Sequence, residues 1–157
     1  MSRGRIVILT HQHQGLHPNN GLAVIAFGLW QPAGWEILVQ QGLRAPPRAD
    51  VAILHVDLTV VPEPYLELAA RYPICLNGRV RDISKRVVSR DLLGPGDAWQ
   101  GPVIVKTDRN HGGLPERRLK VALGGRRAPG AEALRRRLPP RRTGRLPEGR
   151  YPTYPTL

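Results

Sequence analysis

The chain has one cysteine, Cys75, so no disulfide can form within it. No apolar run approaches the about 18 residues that a membrane-spanning helix needs. The run Ile6 to Leu9, behind a basic N-terminus, is too short for the apolar core of a signal peptide. There is no Asn-x-Ser/Thr sequon. No Gly-x4-Gly-Lys-Ser/Thr loop and no Gly-x-Gly-x-x-Gly after the first apolar run is present, which removes the two commonest nucleotide motifs. No Gly-x-Ser-x-Gly elbow marks a serine hydrolase. A cytoplasmic protein with a buried, inert Cys75 is the expectation from these absences. Lysine is scarce as well: Lys85, Lys106 and Lys120 stand against 21 arginines. Arginine favours planar, bidentate partners, whereas lysine offers a compact charge on a flexible stem. A lysine placed where arginine is the default is therefore informative.

The formal net charge of +12 is unevenly spread. Residues 1–116 carry 12 basic and 10 acidic side chains, a net of +2. Residues 117–157 carry 12 basic and 2 acidic ones, a net of +10. The body is nearly balanced and has no basic stripe interleaved with aromatics, so a nucleic-acid reading rests on the tail alone. From Gly124 onward arginine, proline and glycine dominate. Such a segment buries too little apolar surface to offset its ordering entropy, and residues 124–157 are expected to be mostly disordered or loosely extended.

Along the body, Arg5 to Thr10 is a continuous apolar run, as expected of a strand covered on both faces. A polar loop, His11 to Asn20, leads to an apolar helix over Leu22 to Trp30. Trp35 to Gln40 and Val51 to Val56 read as strands, Pro62 to Tyr72 as a helix with proline in its first turn, and Pro73 to Leu76 as a short strand. This order predicts an α/β layer with a largely parallel, Rossmann-like sheet. A helix over Arg81 to Leu93, a strand over Pro102 to Thr107 and one short element at Arg117 to Val121 complete the expectation.

Three constellations could carry chemistry. In residues 103–113 (VIVKTDRNHGG) an apolar β-branched segment ends in Lys106, and a glycine-bearing loop follows at once. That arrangement can hold a nucleotide phosphate; it also reads as an edge strand with a solvated lysine and an ordinary turn. Lys85, if it converges with Lys106, would neutralise neighbouring phosphates; otherwise it belongs to a solvated helix face beside Arg81, Arg86 and Arg90. The second group is His11, His13 and His17, whose His-x-His spacing suits a transition metal, a substrate-facing loop or plain solvent. The third, His55 and Asp57, falls at the end of a predicted strand, where parallel sheets bind ligands.

Residues 55–65 (HVDLTVVPEPY), 72–86 (YPICLNGRVRDISKR) and 101–113 (GPVIVKTDRNHGG), with the opening ILTH at 8–11, resemble bacterial proteins of the ATP-grasp superfamily. The resemblance implies a pre-ATP-grasp α/β domain over residues 1–80 and a partial first lobe of the ATP-grasp module over 81–123. It implies ATP-dependent joining of a carboxylate to an amine or thiol through an acyl phosphate. Two first-lobe lysines of the family contact ATP phosphates, and Lys85 and Lys106 stand in matching places. Gly112 and Gly113 match its phosphate-covering glycine loop. The family's second lobe supplies the acidic residues and asparagine that hold magnesium, the backbone that reads adenine, and an acidic contact to ribose; nothing after Glu116 offers these. The chain is thus expected to resemble the front half of such a protein and to be inactive alone, its acid and amine substrates unidentified. The rival readings are non-specific nucleic-acid binding through the tail and a small interaction domain without a ligand.

Overall fold

Strand β1 (Gly4–Thr10) lies at the centre of a four-stranded sheet because its apolar run can be buried on both faces. Val7, Ile8 and Leu9 are fully buried. The computed structural model describes residues 3–94 and 96–124 and the backbone of residues 153–154. β2 (Trp35–Gln41) and β3 (Val51–His55) flank β1, and β4 (Cys75–Leu76) adds to β3, giving the order β2-β1-β3-β4 with every pair parallel. The protein is therefore a mixed α/β structure on a parallel sheet, in the expected order of elements. The register sets Thr10 beside both Gln41 and His55, so these three residues form one row at the carboxyl edge of the sheet.

Helix α1 (Gly21–Ile25) starts at Asn20, whose side chain accepts the Leu22 N–H at 2.9 Å. It continues as a π-helical turn over Ala26–Trp30. Helix α2 (Glu63–Ala69) has Pro64 and Glu63 in its first turn, both suited to a helix start. It buries Tyr65, Leu66, Leu68 and Ala69 against Val7, Leu9, Ala52 and Leu54. Side chains alternate along a strand, so Ile6, Ile8 and Ile53 are buried outside that cluster, as are Ala23 of α1 and Ala26 of the π-helical turn.

Beyond the sheet, helix α3 (Lys85–Val88) and strand β5 (Val103–Ile104) precede a 3-10 turn (Asn110–Gly113) and helix α4 (Leu114–Ala122). β5 pairs antiparallel with β6 (Thr153–Tyr154) in a second sheet. The long helix expected over residues 81–93 is cut to four residues. Its first part is committed elsewhere: Val61 N–H donates to Arg81 C=O, and Ile83 N–H to Thr59 C=O, across a bridge of Val60 with Asp82. The chain then turns extended at Ser89, after two exposed β-branched residues, Val87 and Val88. The strand expected over 102–107 narrows to two residues and is not buried, with Ile104 and Val105 both exposed. Cys75 is half-buried, and burial pushes its thiol up from the ordinary range. Expected disorder over 124–157 falls outside the described residues, apart from Gly124 and the 153–154 strand. Among the described residues no helix is long and apolar enough to cross a membrane.

Thr59 joins the two parts. It is 5% exposed and uses all three of its polar groups. Its N–H donates to Glu116 Oε1 at 2.8 Å, its C=O accepts from Ile83, and its Oγ1 accepts the Asn110 N–H at 2.9 Å. Burial alone would raise the Glu116 carboxyl. The hydrogen bonds from Thr59, its own backbone N–H and the Arg109 charge together hold it below its usual range. Thr59→Val keeps the shape and leaves the Asn110 N–H without its acceptor. It is expected to cost about 1–3 kcal/mol and to lower the thermal midpoint by several degrees; an unchanged midpoint in calorimetry would show the hydroxyl to be dispensable.

Candidate functional site

Lys85 and Lys106 line one open cavity of about 1050 Å³. They stand more than twenty positions apart in sequence, and Asp108 ties their two segments together. The first backbone N–H groups of a helix have no partner inside it, and Ser84 makes no side-chain cap on α3. Asp108 supplies what is missing: its C=O accepts the Lys85 N–H at 2.9 Å, and its Oδ1 accepts the Arg86 N–H at 3.1 Å. The Arg86 guanidinium lies 3.3 Å from Asp108 Oδ2. A residue two positions beyond Lys106 thus grips the helix that begins at Lys85. Arg90 adds a third cation to the lining, and Leu92, Trp99 and Ile104 give it apolar surface. Small-molecule sites are usually clefts with a few polar groups on a mostly apolar lining.

Gly112 and Gly113 do not line this cavity. They follow His111 in three successive left-handed residues, with φ of 44°, 65° and 72°. The two glycines take this conformation without strain, whereas His111 does not. A Cβ on Gly113 would also come within 3.0 Å of Arg109 Cδ. In this structure the pair turns the chain into α4, with Gly113 at the helix start.

His11 and His55 lie elsewhere, at the carboxyl edge of the sheet. His11 is buried, its Nδ1 accepts the His13 N–H at 3.2 Å, and its ring lies 5.2 Å from that of Tyr65. Tyr65 Oη in turn accepts the Gln12 N–H. His17 is exposed, and its Nδ1 accepts from the Asn19 backbone. His55 Nε2 is 3.3 Å from Asn20 Nδ2, whose partner oxygen already caps α1, so the amide donates to the ring. Asp57 accepts from Asn110 Nδ2 at 2.8 Å. Burial lowers both His11 and His55 from their ordinary value; the His13 charge adds to the first shift, and Asp57 opposes the second. Both rings are thus biased to the neutral form.

Neither place fits a metal. Asp91 is the one carboxylate lining the cavity, and among the described residues no three His, Cys, Asp or Glu side chains gather to hold an ion. Among the described residues there is no ligand set for a magnesium site like that of the ATP-grasp family, and the His-x-His spacing does not supply one. Asp108, Thr59 and Trp99 escape a reading of the sequence. Asp108 and Thr59 act through backbone contacts that no motif announces; Trp99, between the two lysines and beside Gly101-Pro102, could have drawn notice by position.

Comparison of the chain with protein-family models, with curated proteins and with solved structures returned no match in any of the three.

The lowered histidines carry a pH consequence. Their folded values lie below the ordinary 6.5, so the unfolded chain takes up protons first as the medium is acidified. The stability they contribute is full above about pH 6.5 and is lost as pH falls from there through the folded values. Urea midpoints should therefore decline on acidification through this window. The decline should flatten in a His11→Gln, His55→Gln double variant; an equally steep decline would place its origin elsewhere.

Proposed function

We propose that this chain is an ATP-grasp-like protein that binds a nucleoside triphosphate between Lys85 and Lys106. It is related to ATP-dependent carboxylate–amine or carboxylate–thiol ligases. The observation that carries the reading is that these two lysines, singled out by their resemblance to the phosphate-binding pair, line one cavity. Two ammonium groups there would offset the phosphate charge, and Asp108, by gripping α3, would hold Lys85 in place without touching the ligand. In the reaction that the resemblance suggests, the terminal phosphoryl group passes to a carboxylate oxygen and leaves a nucleoside diphosphate. An amine or thiol then attacks the acyl carbon and displaces phosphate. Residues 1–80 would act as the pre-ATP-grasp domain and 81–123 as the beginning of the first lobe, in the cytoplasm. Gly112 and Gly113 would cover the phosphates only if their turn moves toward the cavity. With no acid cluster for magnesium among the described residues, this chain by itself is expected to bind ATP but not to turn it over.

Titration calorimetry tests the reading. Lys106→Ala should weaken ATP binding at least about tenfold, the loss expected for a charge-assisted contact. Asp108→Ala, which keeps both lysines, should weaken it by a smaller factor. Equal affinity in the Lys106→Ala variant and the parent would remove Lys106 from the site, and ATP-dependent product release by the pure chain would refute inactivity.

One observation favours a second reading: the +10 charge gathered over residues 117–157. Segments of this kind bind RNA or DNA through phosphate charge. On this reading, deleting residues 117–157 abolishes binding to a duplex or single strand, and the parent's binding falls steeply with added salt. Retention after deletion, or insensitivity to salt, would end it.

A further inference from the structure

Trp99 sets this cavity apart from a plain anion site. Of the three tryptophans it is the exposed one, at 52%, while Trp30 and Trp35 are half-buried. An indole on a loop surface is usually free to turn, but this one is held at two points. Its Nε1–H donates to the Pro102 C=O at 3.3 Å. Its six-membered ring lies on Gly101 so closely that a Cβ there would come within 2.6 Å of Cζ2 and 2.8 Å of Cε2. Gly101 has no positive φ that would call for glycine, so the ring accounts for the missing side chain. The result is a fixed aromatic face, half open, lining the same cavity as Lys85, Arg90 and Lys106. Leu92, Leu93 and Ile104 extend the apolar side of the wall.

A ligand that uses both kinds of surface is a polyanion joined to a flat aromatic group. We infer that Trp99 is the base-stacking platform of the site, so that the cavity takes a nucleotide as a whole and not merely its phosphates. The inference rests on the phosphate reading of Lys85 and Lys106 and adds to it the place of the base. Every nucleobase has a π-face, and a single stacking side chain discriminates weakly among them. The platform therefore selects a nucleotide over inorganic polyphosphate, and it does so without the second-lobe backbone that reads adenine in the ATP-grasp family. Gly101 is a positioning residue in this arrangement, since it touches Trp99 and not the ligand.

The test compares ATP with inorganic triphosphate on the full chain, by calorimetry and by quenching of tryptophan emission. Trp99→Ala is expected to weaken ATP binding about tenfold, within the range that removal of a stacking partner produces, and to leave triphosphate binding unchanged. Trp99→Phe, which keeps a stacking face, should recover most of the loss. Gly101→Ala, which displaces the ring while retaining it, should lower affinity for ATP and not for triphosphate. If Trp99→Ala binds ATP as the parent does while triphosphate still binds, the platform falls and the phosphate reading stands. If it weakens ATP and triphosphate equally, Trp99 shapes the loop only and the inference is overturned. If the parent binds neither, the phosphate reading fails and takes the platform with it.

Discussion

The described chain is held together at Thr59. The parallel sheet and α2 form one well-buried cluster, whereas the segment from Arg81 to α4 has little core of its own. What joins them is a set of directional bonds converging on one nearly buried residue: Glu116 on its N–H, Ile83 on its carbonyl and Asn110 on its hydroxyl. Asn110 passes the link to Asp57, and Leu119 of α4 rests on the edge of the core. Apolar contact alone would let α4 slide, because burial is not directional. The Glu116 bond fixes the start of α4, and the Asn110 and Ile83 bonds fix the segments before it; each one left unmade inside the structure costs more than its formation gains.

A second fastening of the same kind places the cavity. Asp108 serves as a remote cap for α3, doing through a later segment what a serine or aspartate at the helix start commonly does locally. Its use of both backbone and side-chain oxygens aligns the helix as well as holding it. The cavity and the histidine edge remain chemically distinct. The first gathers basic side chains on an exposed wall; the second biases His11 and His55 toward the neutral form, chiefly by partial burial.

The legibility of the sequence follows the range of the forces involved. β1, β2 and β3 were readable because their burial is written as unbroken or alternating apolar runs. α2 was readable from the proline at its start and from Leu66, Ala69 and Ala70 at helical spacing, with Tyr65 and Tyr72 nearby; the helix itself ends at Ala69. The stretch from 81 to 93 misled because helical spacing is a local signal, and Arg81 and Ile83 instead pair with residues some twenty positions earlier. The run 103–105 misled for a related reason: its apolar residues suggest burial, yet the strand they form has only a two-residue partner near position 153. Lys85 and Lys106 could be singled out by residue type, but that they face a common space depends on Asp108, whose neighbours Thr107 and Arg109 give no hint of it. Gly112 and Gly113 carry a conformational message, the left-handed turn, that a spacing match cannot separate from a ligand-covering loop.

The pairing of β5 with β6 has a consequence for the order in which the molecule is made. All four strands of the main sheet lie within the first 76 residues, so that layer can assemble early as the chain leaves the ribosome. The strand at Val103–Ile104 must wait until residues 153–154 emerge, about fifty positions later. Contacts so distant in sequence are made against a larger loop-closure entropy than those inside the sheet. The wall that carries Ile104 is therefore the last part of the cavity to be completed in biosynthesis, since its partner strand is made only at residues 153–154.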